Sequence, residues 1–246
     1  MALAAVSFVP GLAIGSFLNV VAARVPLGRS IVSPGSACPS CETELAWYDN
    51  IPLVSYAVLR GRCRHCQATI SWRYPAVELT TALLVAACFL KFGWHADAVI
   101  GAFFCAALVA VSATDFERRV IPNWIVLPAA VAVLAANTAV HPSVEWIAGG
   151  LGASLFLLLA ALAYPAGMGM GDVKLALLLG VALGRTVPVA MAIGMVSALV
   201  PSVALLAKHG AAARKMGIPF GPFLALGGVV GLFAGKSLLD WYLGLL

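Results

Sequence analysis

Charge is what this chain has least of. Only 10% of its 246 residues are Asp, Glu, Lys or Arg, and its mean hydropathy is +1.01. A soluble domain carries about a quarter charged residues, so a soluble globular fold is excluded. Short segments of alternating apolar and polar residues are also missing, which excludes a membrane β-barrel. No basic residues precede the first apolar run, Ala2 to Ala23. That run therefore lacks the charged start of a secretory signal and reads as a retained span, with cleavage after Ala23 the lesser alternative. The basic residues form no single stripe, which argues against a nucleic-acid partner. No Gly-rich dinucleotide fingerprint stands where a strand would feed a helix.

What is present is a series of apolar runs, most of them long enough to cross about 30 Å of hydrocarbon. The expected spans are 2–23, 76–92, 97–113, 122–140, 145–164, 173–184, 187–207 and 221–243. The sixth is short: either it starts inside the Gly-Met stretch before Asp172, or Gly184 to Pro188 allow it to join the seventh as one kinked unit. Eight spans is therefore the reading, with six or seven left open. The expected fold is an all-α polytopic membrane protein of about eight transmembrane helices in a lipid bilayer, with a small polar insertion. Placing Arg24, Arg29, Arg60, Arg62, Arg64, Arg73, Arg118, Arg119, Lys174, Lys208, Arg214 and Lys215 on one side leaves only Lys91, Arg185 and Lys236 on the other. Basic residues favour the cytoplasmic face. Both termini are thus expected outside, with the 24–75 insertion in the cytoplasm.

That insertion contains Cys38-Pro-Ser-Cys41 and Cys63-Arg-His-Cys66, separated by 21 residues. Two such pairs resemble a zinc-ribbon pattern, slightly longer in the spacer than usual. Each turn aims two thiolates at one point, and together they can close a tetrahedral site. Reduced thiols are the cytoplasmic norm, which weakens a disulfide reading. A metal-free loop and a redox dithiol remain as alternatives. A closed four-sulfur shell has no open position, so a metal there would be structural. His65 reads as surface, and Cys88 and Cys105 as packing residues within spans.

Most of the ten acids fall in the insertion or near outward helix ends. Asp115, in "SATDFERRVIPN", and Asp172, in "AGMGMGDVKLALLLG", differ. The charge bias places both at the cytoplasmic ends of their spans, at similar depth. The plainer role for each is a helix cap or the partner of a nearby Arg or Lys. Acids at membrane depth are nonetheless functional candidates by default. Gly167, Gly169 and Gly171 remove side chains around Asp172, which admits a second backbone or makes a flexible turn. Two close carboxyls can share a proton, one acting as base on water while the other polarises a carbonyl. A proton or ion transporter is the main rival, and it would place acids near mid-bilayer. An assembly protein without catalysis is a third reading.

The chain resembles the type IV prepilin peptidases, the prepilin leader peptidase/N-methyltransferases of type IV pilus and type II secretion systems. The resemblance is carried by "GSFLNVVAARVP", "CPSC", "NIPLVSY", "CRHC", "ISWRYPAVEL", "TDFERRVIPN", "GMGDVKL" and "IPFGPFLALGG", in that order along the whole chain. It implies an aspartic membrane protease of the GxGD class, with Asp115 and Asp172 catalytic and Gly169 and Gly171 at the substrate approach. The implied substrate is a prepilin or pseudopilin whose basic leader is cut after a glycine. The new N-terminal residue, usually Phe, is then methylated with S-adenosylmethionine. The resemblance also implies a bacterial inner membrane location and assigns methylation to the insertion. Zn2+ held by Cys38, Cys41, Cys63 and Cys66 is the expected structural ion. Candidate methyl-donor residues are Asn19, Arg24, Asp49, Asn50, Arg73 and Glu78; loop and interface structure is their alternative role. Glu42, Glu44, Asp49 and Glu78 could attract the basic leader. Pro219, Gly221 and Pro222 are expected to shape the approach to the last span. The implied domains are a first helix over 1–23, the zinc-ribbon-like four-cysteine insertion over 24–75, and the peptidase over 76–246.

Overall fold

The computed structural model describes residues 2–164, 168–210 and 217–245. Gly167, Arg214 and Lys215 lie outside the described residues. The helices are α1 (Ala2–Arg24), α2 (Val54–Val58), α3 (Arg73–Phe92), α4 (Ala96–Arg118), α5 (Asn123–Val140), α6 (Glu145–Ala163), α7 (Met170–Leu183), α8 (Val187–His209) and α9 (Gly221–Leu243). All but the short α2 correspond to the eight expected spans. Among the described residues there is no β-strand, only isolated antiparallel bridges at Ala37–Glu44 and Arg62–Thr69.

The 14 residues of α7 extend only about 21 Å at 1.5 Å per residue. A single 3-10 turn, Gly184–Thr186, joins α7 to α8. Residues 170–209 are thereby one apolar helical segment of 40 residues, and among the described residues length and composition yield seven candidate spans. The kinked-unit alternative thus describes this stretch. Gly184 makes the junction with φ +54°, a left-handed backbone that L side chains resist.

The chain forms two compact units, residues 1–113 and 114–246. In the first, α1 lies closely against α3. A Cβ added to Gly15 would stand 2.6 Å from the Cα of Glu78, and one added to Gly11 would stand 2.7 Å from the Cα of Ala82. Small residues four apart let two membrane helices meet backbone to backbone. The same contact sets Glu78 against the C-terminal half of α1.

In the second unit α7 is central. Leu175, Ala176, Leu178 and Leu179 are fully buried, and α5, α6 and α9 pack around it. Asn137 of α5 donates from Nδ2 to the Val181 carbonyl at 2.9 Å, a polar tie between two apolar helices. On α6 the outward stripe Leu151, Leu155, Leu159 and Leu162 is exposed. So continuous an apolar face suits lipid, not water. Gly149 and Gly180 bring α6 and α7 together so tightly that a Cβ on Gly180 would collide with the Gly149 backbone. Overpacking of this kind costs about 1–3 kcal/mol. Gly180→Ala is therefore expected to lower the melting temperature of the purified protein, and an unchanged melting curve would contradict so close a seam.

Candidate active site and candidate metal centre

The α4 helix continues past the expected end at 113 to Arg118. Asp115 is thus on its last turn, and Arg119 ends the helix with φ +54°. Asp172 is in the first turn of α7. Both carboxyls are buried, at 5% and 9% exposure, although nothing apolar would choose them. Each is held by a backbone donor. Gly221, the first residue of α9, donates its N–H to Asp115 Oδ2 at 2.9 Å. Gly169 donates to Asp172 Oδ2 at 3.2 Å. Asp172 caps its helix from the third helical position, and not from the N-cap itself. The pairing with neighbouring cations is not made among the described residues. Lys174 Nζ donates instead to Asn123 Oδ1 at 2.8 Å, and Arg118 faces Glu117 at 4.0 Å.

Ile121 links the two carboxyl-bearing elements. A Cβ on Gly171 would stand 2.8 Å from Ile121 Cβ, and one on Gly221 would stand 3.3 Å from Ile121 Cδ1 and 2.9 Å from Asp115 Oδ2. The end of α4 and the starts of α7 and α9 therefore meet around one side chain. Ile121 fills the space beside Gly171, whereas at Gly169 an added Cβ would meet, among the described residues, only Asp172 Oδ2, at 3.6 Å, and the Gly171 nitrogen. Gly221→Ala is expected to push Asp115 out of place and reduce the reaction of this site about 100-fold, the scale of a 1 Å misplacement. An alanine variant with normal turnover would show that Asp115 tolerates the displacement.

The four insertion cysteines converge. Cys38 and Cys66 sulfurs are 3.8 Å apart, Cys41 and Cys63 sulfurs 4.0 Å, and all four lie within 4.8 Å of one another. A tetrahedral ion with bonds of about 2.3 Å would separate its sulfurs by about 3.8 Å. The two turns are built alike. The Cys38 N–H donates to Thr43 O and the Glu42 N–H to Cys38 O; the Cys63 N–H donates to Ala68 O and the Gln67 N–H to Cys63 O. Glu42 and Gln67, each just after its second cysteine, have φ of +56° and +59°. That left-handed residue folds the chain back and keeps the thiols convergent. Backbone N–H donors lower Cys38 and Cys63. The Ala68 N–H also pulls Cys66 down, but desolvation and the neighbouring thiols outweigh it and push Cys66 up to about 11. Four thiolates together need a cation. His65 is exposed, and Cys88 and Cys105 are fully buried.

Behind this cluster is a cavity of about 420 Å³, walled by the C-terminal half of α1, the insertion and the start of α3. That volume lies within the range of small-molecule sites. Five of the six candidate donor residues line it: Asn19, Arg24, Asp49, Asn50 and Glu78. The sixth, Arg73, does not; its Nη2 donates to the Ala113 carbonyl at 3.4 Å. Cys38 and Cys63 belong to the cavity wall. Arg24 is tied to the carbonyls of Ser30 and Gly35 at 3.1 and 2.9 Å. Arg64 donates to both oxygens of Asp49 and lies over the Tyr48 ring at 5.4 Å. This guanidinium holds the Asp49 carboxyl below its ordinary value. Glu78 Oε2 accepts the N–H of Leu53 at 2.8 Å, and Leu53 has a left-handed φ of +59°.

Sequence reasoning misses Ser16, Tyr56, Arg64 and Tyr74 in this wall, and Ile121 between the carboxyls. Tyr56 and Tyr74 add aromatic surface, and only folding of the insertion onto α1 reveals it. Gly221 stands out in the sequence only as a shape-determining residue, and its proximity to Pro219 and Pro222 is the one available signal.

Two family models match the chain, "Bacterial Peptidase A24 N-terminal domain" over residues 9–92 and "Type IV leader peptidase family" over residues 102–203. A Bacillus subtilis (strain 168) protein named prepilin leader peptidase/N-methyltransferase is 35% identical over 249 residues, covering 96% of each chain. A Burkholderia pseudomallei (strain 1026b) protein of the same name is 35% identical over 94% of this chain and 85% of its own. A Pseudomonas aeruginosa counterpart is 34% identical over 95% and 91%. No solved structure matches the chain.

Proposed function

The chain belongs to the type IV leader peptidase family, and we propose that it is a membrane-embedded aspartic endopeptidase that also methylates its product. Its substrate is a type IV prepilin or pseudopilin, cut after the glycine that ends the leader. The mature N-terminal residue, usually Phe, then receives a methyl group. The observation that carries the peptidase reading is the meeting of Asp115 and Asp172, both buried and both anchored by backbone N–H groups, around Ile121.

In this reading Asp115 and Asp172 titrate as a pair. One carboxylate takes a proton from water while the other, protonated, donates to the scissile carbonyl oxygen. The Gly221 and Gly169 N–H groups occupy Oδ2 in each, which leaves Oδ1 for water and substrate. Gly169 gives an extended peptide room to approach, and Gly171 lets α7 close on Ile121. Positive residues bias the topology toward a cytoplasmic insertion, a cytoplasmic active-site end and outward termini in a bacterial inner membrane.

The 24–75 insertion, with the helix ends around it, is assigned to methylation, and residues 76–246 to the peptidase. Zn2+ is the ion that the thiolates of Cys38, Cys41, Cys63 and Cys66 would hold, in a structural role because the shell is closed. The cavity beside it fits an adenosyl donor, since it joins aromatic and aliphatic walls to a few fixed polar groups. Asn19, Asp49, Asn50 and Glu78 are the polar groups assigned to hold that ligand, with Arg24 bracing the loop. S-adenosylmethionine, when bound, supplies an electrophilic methyl group on a sulfonium centre. Incubating the purified protein with a prepilin and labelled S-adenosylmethionine tests both activities together. Mass spectrometry should show a product lacking the leader and heavier by one methyl group. An intact prepilin would refute the peptidase reading, and an unmethylated mature product would refute the transferase reading.

A further inference from the structure

The cavity has two acidic side chains in its wall, and their partners differ. Asp49 is neutralised by the two-pronged contact from Arg64. Glu78 has no such cation. Its partners are neutral donors, the Leu53 N–H at 2.8 Å and the Ser16 hydroxyl. Among the described residues no Lys, Arg or His forms an ion pair with it. The cavity's own guanidiniums are already committed, Arg24 to two backbone carbonyls and Arg64 to Asp49. Yet Glu78 is only 8% exposed. A buried carboxylate is costly without a charge partner, and it accepts more than two hydrogen bonds when ionised.

We propose that Glu78 is the cation-receiving group of this cavity, positioned to face an organic sulfonium or ammonium. The proposal rests on reading the cavity as the methyl-donor site. Three groups supply such a cation in the reaction assigned there, the sulfonium of the donor, the α-ammonium of its amino-acid part and the α-ammonium of the trimmed pilin. The alternative role for Glu78 is to accept the strained Leu53 N–H and nothing more. Glu78→Gln separates the two, because an amide oxygen still accepts that N–H while the charge is gone.

The test uses the full protein in detergent and compares binding of S-adenosylmethionine with that of S-adenosylhomocysteine, its neutral thioether counterpart. Melting temperature and zinc content of the variant are checked against the wild type. If Glu78 faces the sulfonium, the wild type prefers the cationic ligand and Glu78→Gln erases that preference, a change of about 10-fold or more for a lost charge-assisted contact. If Glu78 faces the donor's α-ammonium, which both ligands carry, the two affinities fall together; if it faces the pilin ammonium, both affinities hold while the KM for a cleaved, unmethylated pilin rises by a similar factor. Each of these outcomes supports the proposal. A variant with both affinities and the acceptor KM unchanged would overturn it and leave Glu78 as a backbone acceptor. Failure of the wild type to bind either ligand would refute instead the reading of the cavity on which the proposal stands.

Discussion

Asp115→Asn and Asp172→Asn each abolish leader removal, with an expected loss of about 10³-fold or more, the upper part of the range for a single acid–base group. The reasoning starts from shape. Asparagine keeps the volume of aspartate, and its carbonyl oxygen can still accept the Gly221 or Gly169 N–H. The anchoring contacts and membrane insertion should therefore survive, and only the ability to hold or release a proton is removed. Two groups that share one proton act as a unit, so the double variant should be no worse than either single one. A purely capping role for Asp172 predicts a different outcome, since Asn caps a helix about as well as Asp. Processing of a prepilin at the normal rate by either variant would remove that residue from the dyad. Loss of the protein from the membrane fraction would mark the buried carboxyl as a folding element.

The distribution of what could be read in advance follows a physical division. Helices were legible because lipid demands long apolar runs and leaves few alternatives. Their polar ends were less so. The apolar run of α4 stops at Ala113, yet the helix goes on to Arg118, because charged residues at an interface do not break a helix and the first strong break is the approach to Pro122. Asp115 is consequently a helical residue facing inward, not a loop acid. Asp172 likewise falls inside α7, which begins at Met170, within the Gly-Met stretch that the shortness of the sixth span leaves open as its start. Charge bias alone put the two acids at one end. It could not show that Gly221, 106 residues from Asp115, supplies the hydrogen bond that holds it. That contact depends on α9 returning to α4, and no local pattern encodes it. The cavity repeats the lesson. Polar residues near the end of α1 and the start of α3 can be picked out by chemistry, and five of the six candidates share one wall. Arg73 could not be separated from them in advance, because its turn toward Ala113 is set by packing and not by residue type.

Cys38→Ser is expected to release the zinc proposed for this cluster and with it most of the methylation, while leader cleavage falls far less. The four sulfurs hold together two short turns that have little else between them. Each is closed by only a pair of backbone hydrogen bonds and includes a residue in the left-handed region. A segment of about 50 residues with so few buried apolar side chains needs such a staple. Structural zinc supplies on the order of 10–16 kcal/mol of apparent stabilisation to small domains that depend on it. Removing one thiolate should reduce zinc from about one ion per chain to near none. The consequence for methylation follows from position. Cys38 and Cys63 form part of the same wall as Asn19, Asp49 and Glu78, so slackening the turns should unmake the cavity proposed for the donor. The carboxyl pair, in contrast, is assembled wholly from residues of the 114–246 unit. Wild-type protein should therefore contain zinc by elemental analysis, and Cys38→Ser should lose donor binding and methylation by a factor on the order of 100, the scale on which a displaced binding group acts. Zinc-free wild-type protein that methylates normally would refute the structural metal. Equal loss of cleavage and methylation in the variant would instead make the insertion a folding element for the whole chain.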